Sequence, residues 1–256
     1  MGLWRLLAEE ILLTPGEGGN GSHAYLLDIE GTTTPLSFVH ETLFPYAKER
    51  ADPFLTSCEG TAEFDELVGA LASEHTAERG GDETPPAWRD ETTATRRSSA
   101  LTYVGWLMDR DRKSTALKAL QGRIWQVGYD DGSLTAAIYP DVLPALRRWR
   151  EQKKTIAIFS SGSILAQKLL FAHTGAGDLT PFIDAYFDTT TGPKNDAASY
   201  TAIAKTLGHD AADVLFISDI VAELDAAHGA GMRTALCVRE GVPPATRHRI
   251  VHDFQA

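Results

Sequence analysis

Four short runs of apolar residues punctuate the chain, each followed at once by polar or turn residues: 24–28 (AYLLD), 155–159 (TIAIF), 213–217 (DVLFI) and 234–238 (TALCV). None is long enough for a helix, and unbroken apolar runs of this length suit strands covered on both faces. Between them lie segments with helical spacing of apolar residues, at 141–152, 163–173, 196–207 and 220–230. Strand and helix in alternation predict an α/β fold built on a doubly wound parallel sheet. A weaker strand is expected at 184–188 (DAYFD).

Residues 39–130 break that rhythm. They are rich in Ala, Glu and Arg, helical in pattern, and interrupted by GGDETPP at 80–86. The expectation is an all-helical cap, inserted after the first strand and left near Gly132. The catalytic core is then 23–38 together with 131–256, preceded by an extension over 1–22. That extension holds a literal G-x-G-x-x-G at Gly16, Gly18 and Gly21. A dinucleotide fingerprint must follow a strand and open a helix, whereas this one precedes the first strand, so it carries no weight.

Composition narrows the classes of partner. The 256 residues carry a formal net charge of −11 and a pI near 5.2, which disfavours nucleic acid and anionic membrane. A small phosphorylated substrate stays open, because a metal ion and one lysine can invert the local field. Two cysteines, Cys58 and Cys237, form neither a metal-ligand spacing nor a disulfide framework, so a reducing cytoplasm is expected. No apolar stretch approaches the roughly 20 residues of a membrane span. The stretch MGLWRLLAEEILLTP, interrupted by Glu9 and Glu10, does not read as a signal peptide.

Four strings carry candidate chemistry. DIEGT (28–32) puts Asp28 and Glu30 where a buried strand ends, the edge at which open α/β sheets bind ligands. FSSGS (159–163) sets hydroxyls and free amides after the next strand and before a helix, a ready anion site. Lys194 lies in the loop TTTGPKNDAAS, and FISDIVAELDAA (216–227) places Asp219 after another strand, with Glu223 and Asp225 beyond it. Each string also has a plain structural reading: an acidic turn, a serine N-cap, a solvated lysine, an acidic first helical turn. All four, however, fall at the same end of one inferred sheet. Two carboxylate clusters, an anion cradle and a lysine together make a kit for metal-assisted phosphoryl transfer.

The order DxxGT, strand–SSG, Lys, strand–SD resembles the four motifs of the haloacid-dehalogenase superfamily. Longer strings resemble its enolase-phosphatase family: DIEGTTTPLSFVHETLFPYA (28–47), LQGRIWQVGY (120–129), YPDVLPALRRW (139–149), FSSGSILAQKLLFAHT (159–174) and FDTTTGPKN (187–195). Glu30 stands where most superfamily phosphatases have Asp. The resemblance covers nearly everything beyond residue 22 and is weak across 51–100. It implies one Mg²⁺ per subunit on Asp28, Glu30 and Asp219, and substrate phosphate on Ser160, Ser161 and Lys194. Asp28, Glu30 and Lys194 would be the catalytic residues. It further implies a cytoplasmic monomer acting on a phosphorylated diketone, 2,3-diketo-5-methylthiopentyl 1-phosphate. Enolisation would come first, and phosphate loss would then give 1,2-dihydroxy-3-keto-5-methylthiopentene in methionine salvage. Trp125, Tyr129 and Arg123 are candidates for lining or closing the pocket. Other readings of the same residues are a phosphatase for a different small ester, a metal-free dehalogenase, and a phosphoryl-binding module without catalysis.

Overall fold

The computed structural model describes residues 22–78 and 83–255; the extension expected over 1–22, bar its last residue, and the first three residues of GGDETPP lie outside them. Six strands form one sheet: β1 (Ala24–Leu27), β2 (Thr155–Phe159), β3 (Ala185–Phe187), β4 (Val214–Ser218), β5 (Arg233–Cys237) and β6 (Arg249–Val251). Their order is β3-β2-β1-β4-β5-β6 and every pairing is parallel. The chain steps outward from β1 in both directions, so the carboxyl ends of β1, β2 and β4 flank the point where strand order reverses. The sixth strand was not expected. Its three residues are half-exposed at an edge, with no apolar run to announce them.

Helices α5 (Val142–Glu151), α6 (Ile164–Ala172), α7 (Ala197–Leu207) and α8 (Val221–Gly229) connect the strands. In α5, Val142, Ala145, Leu146 and Trp149 recur at the spacing of one buried face, and Trp149 stacks on Tyr25 of β1 at 4.0 Å between ring centroids. On the opposite face, Tyr200 and Ile203 of α7 and Leu224 of α8 bury against β1, β2 and β4.

Between β1 and β2 stand four more helices, α1 (Phe44–Ser57), α2 (Ala62–Glu78), α3 (Thr93–Met108) and α4 (Thr115–Asp130), entered through a π-helical turn at Phe38–Leu43. Their apolar faces do not form a separate core. Leu55, Phe64, Val68, Tyr103 and Ile124 belong to the same buried cluster as Leu27, Ile156 and Ile158 of the sheet. The helical insertion is therefore packed onto the strands rather than tethered beside them. Helix α4 lies close to α6: a β-carbon at Gly122 would stand 3.3 Å from Leu165 Cδ2. That approach brings one face of α4 over the carboxyl end of the sheet.

Candidate active site

Asp28 follows β1 directly, and its backbone N–H extends the ladder to Ile217 O at 3.0 Å. The chain then turns sharply. The amides of Thr32, Thr33 and Thr34 all donate to Ile29 O, and Gly31 adopts a φ of +68° that L side chains rarely reach. The Thr33 hydroxyl donates to Asp28 O at 3.1 Å and locks the strand tip. Asp28 is 4% exposed.

Lys194 arrives from the loop after β3. Its ammonium donates to Asp28 Oδ1 at 2.6 Å and to Glu223 Oε2 at 2.7 Å. The loop is anchored by the Tyr200 hydroxyl, which donates to Lys194 O, and by the Ser199 hydroxyl, which donates to Pro193 O. Burial pulls the lysine's affinity for its proton down, and the charges of Asp28 and Glu223 more than restore it. Lys194 is thus a paired, buried cation and not a solvated one. Glu223 also accepts from the Ser218 hydroxyl at 3.0 Å, which ties the first turn of α8 to the tip of β4.

Asp219 follows β4 and faces the turn after β1. Burial, and next the charge of Asp28, raise its carboxyl to about 7. The same two causes raise Glu30. Asp28 and Glu223 share the Lys194 ammonium, and Asp219 and Glu30 both stand in the field of Asp28.

The FSSGS string resolves its two readings by dividing the work. Ser163 is the N-cap of α6, its hydroxyl accepting from Ala166 N. Ser160 is buried, its hydroxyl accepting from Gly162 N at 3.1 Å, while Ser161 and Gly162 are half-buried on a cavity wall. That leaves a serine-rich turn beside Asp28, free of the capping duty, for an anion.

Two cavities meet at this turn. One, about 110 Å³, runs between sheet and insertion, with Val39, Leu43, Phe44, Trp125 and Leu170 as its apolar wall and Glu30, Ser160 and Ser161 at its polar end. The other, about 590 Å³, opens toward solvent past Ser161, Lys194 and Glu223, with Lys113 and Lys118 on its insertion side. Trp125 lines the first, held by its indole N–H to Leu43 O at 2.9 Å. Tyr129 lines it too. Arg123 points away, to Glu63 and Gln126, on an exposed surface. Asp225 also lies apart from the site, bonded to Arg247 and His248.

Two residues went unassigned in the sequence. Glu223 was visible in its string but could not be told from a helix-start acid. Lys118 is half-buried beside the buried stripe of α4, and its ammonium donates to Ser161 O at 2.8 Å. A lysine recurring with Leu117, Gln121 and Trp125 on a core-facing helical stripe was the available signal.

Mg²⁺ is the metal that the fold family implies. Among the described residues no three carboxylates, imidazoles or thiols already form a cage for a cation. Mg²⁺ asks for less: it keeps several waters and uses one or two carboxylates. The oxygen-only donors around Asp28 and Asp219, and the burial and like charge that raise the Asp219 carboxyl, fit such an ion.

A sheet whose switch point carries a strand-tip aspartate, a paired lysine and a serine-rich turn defines a class of hydrolase. The chain belongs to the haloacid dehalogenase-like hydrolases, whose family model matches residues 23–231. Among them it stands with the enolase-phosphatases. It is 50% identical over 216 residues to Enolase-phosphatase E1 of Synechococcus elongatus, covering 84% of this chain and 88% of that one. It is 46% identical over 235 residues to Enolase-phosphatase E1 of Sorangium cellulosum, covering 91% and 96%. Of solved structures, the UTR4 protein of Saccharomyces cerevisiae superposes with a TM-score of 0.73 at 33% identity, covering 92% of this chain and 99% of that one.

Proposed function

We propose that this chain is a bifunctional enolase-phosphatase that converts 2,3-diketo-5-methylthiopentyl 1-phosphate, by enolisation and then dephosphorylation, to 1,2-dihydroxy-3-keto-5-methylthiopentene in methionine salvage. One observation carries the reading. Ser161 lies both on an apolar cavity walled by Trp125 and Leu43 and on a polar cavity lined by Lys194, the ion-pair partner of Asp28, so a phosphate site and a site for a short thioether tail are contiguous.

In this reading the Ser160 hydroxyl and the Ser161 amide hold the phosphate oxygens, and Lys194 neutralises them. An Asp28 carboxylate oxygen attacks phosphorus, forming an aspartyl phosphate that water hydrolyses. Glu30, two residues past the nucleophile, protonates the leaving oxygen. Asp28, Glu30 and Asp219 would hold one Mg²⁺ per subunit, which supplies positive charge against the repulsion between carboxylate and phosphate dianion. Helices α1 to α4, taken as a cap over 39–130, exclude water from the diketone during enolisation. The reading includes a monomer in the cytoplasm. No described helix is long and apolar enough to cross a membrane.

The test is a panel of small phosphate esters offered to the purified chain with Mg²⁺. The diketo phosphate should exceed the others in kcat/KM by at least about 100-fold, roughly 2.7 kcal/mol of transition-state preference. A different ester leading the panel would reassign the substrate.

A further inference from the structure

The catalytic groups above handle phosphate, and none of them stabilises an enolate. Enolisation needs a base near the phosphate-bearing carbon and a positive group near the neighbouring carbonyl oxygen. Among the residues lining the 110 Å³ cavity, two carry charge: Glu30, from the turn after β1, and Lys118, from α4. Both also line a third cavity of about 270 Å³ on the solvent side, together with Gln121 and His40. The Lys118 ammonium donates to Ser161 O at 2.8 Å, so it hangs over the same turn that receives the phosphate.

The route of the substrate follows from these positions. With phosphate at Ser160 and Ser161 and the tail among Leu43, Phe44 and Trp125, the carbons between must pass Glu30 and Lys118. We infer that Lys118 is a catalytic residue of the enolisation step, its ammonium stabilising the enolate oxygen formed from the carbonyl next to the phosphate-bearing carbon. The Glu30 carboxylate takes a proton from the phosphate-bearing carbon, and the C–H pair becomes the new C=C bond. The former carbonyl π pair ends on oxygen, which takes a proton from Lys118. The amine is reprotonated from solvent through the 270 Å³ cavity, and Glu30 keeps its proton for the leaving oxygen of the next step.

The surroundings suit this role. Burial lowers the proton affinity of Lys118, and the charges of Asp188 and Glu30 oppose that fall without cancelling it. Among the described residues Ser161 O, a neutral acceptor, is the one hydrogen-bond partner of Lys118, so two of the three ammonium protons are left for a ligand. Lys194, in contrast, is already committed to two carboxylates.

The inference rests on the substrate class proposed above, and its test separates the two. A phosphonate analogue of the diketo substrate, whose C–P bond resists hydrolysis, is incubated in D₂O with the full chain and Mg²⁺. Deuterium uptake at the carbon bearing phosphorus is followed by NMR against the buffer rate. Hydrolysis of p-nitrophenyl phosphate, which needs no enolisation, is measured beside it. Lys118→Met should lower deuterium uptake at least about 100-fold and lower ester hydrolysis by less than about tenfold. Uptake within about threefold of the unsubstituted chain would overturn the inference, as would equal losses in both assays, which would make Lys118 a support of the fold. No uptake above buffer in the unsubstituted chain would overturn the substrate assignment, and the inference with it.

Discussion

A β-carbon placed on Gly31 would stand 2.2 Å from Oδ2 of Asp219, so the turn after β1 and the tip of β4 meet where a side chain is missing. The closeness brings Asp219 within the field of Asp28, one of the causes that raise its carboxyl. It also requires a left-handed residue, since Gly31 sits at φ +68°.

Gly31→Ala should therefore displace Asp219 and strain the turn at once. Strained left-handed backbone costs about 1 kcal/mol or more, and the clash adds to it. Activity should fall further than stability, because the displaced group is the carboxylate that would hold the metal. Thermal unfolding and kcat/KM on one preparation check this; full activity with a lowered Tm would separate Asp219 from catalysis.

Lys194 is the cation between Asp28 and Glu223. Lys194→Met leaves two buried carboxylates without their partner, and breaking such a pair costs about 3 kcal/mol or more. Urea unfolding without metal should show a loss of that size. Adding Glu223→Gln should recover part of it, since one of the two stranded charges is then gone. A double variant less stable than Lys194→Met alone would mean that Glu223 is held by something other than this ammonium.

Asp219 gives the metal-free protein a pH dependence of definite sign. Its folded carboxyl titrates near 7 against 3.8 for the ordinary group, so between those values the folded state binds more protons than the unfolded one. Stability therefore falls as pH rises through that window. Asp219→Asn, unable to ionise, should be more stable than the unsubstituted chain at pH 8 without metal, and the advantage should vanish near pH 4. Mg²⁺ should raise the Tm of the unsubstituted chain at pH 8 and leave the variant nearly unmoved. Equal Mg²⁺ shifts in both proteins would remove Asp219 from the metal site.

Trp125 tests the tail. Its indole bond to Leu43 O and its place on the apolar cavity predict that Trp125→Ala weakens the diketo phosphate, at about 0.8 kcal/mol for each CH₂ left unburied. Inorganic phosphate, which touches only the polar end, should bind within about twofold of the unsubstituted affinity, a difference of roughly 0.4 kcal/mol. Paired titrations in Mg²⁺ decide the matter. Equal losses would place Trp125 in the support of the fold.

Much of this site could be read along the chain because its chemistry sits at the ends of buried strands. A strand covered on both faces is a plain apolar run, and Asp28, Ser160 and Asp219 each fall within two residues of one such run. Lys194 was legible only through its company, because a loop lysine has no pattern of its own. Glu223 and Lys118 depend on which way a helix turns its faces in space. The pairing of Glu223 with Lys194 is a contact between the loop after β3 and α8. That of Lys118 with Ser161 crosses from the insertion to the sheet, 43 residues apart. Strand β6 stayed hidden because an exposed edge of three residues carries no apolar signature. Arg123 and Trp125, two residues apart on α4, point to opposite fates, one to a surface ion pair and one to the cavity.

Stopped-flow mixing of the full chain, Mg²⁺ and the diketo phosphate, with enol absorbance and released phosphate followed in the same shots, reads the order of the two half-reactions. Enolisation before dephosphorylation predicts that absorbance rises first and that phosphate appears after a lag. In Asp28→Asn the absorbance should still rise while phosphate release falls at least about 100-fold, some 2.7 kcal/mol of barrier. Phosphate release without a preceding rise in absorbance, or at an undiminished rate in Asp28→Asn, would contradict the proposed two-step reaction.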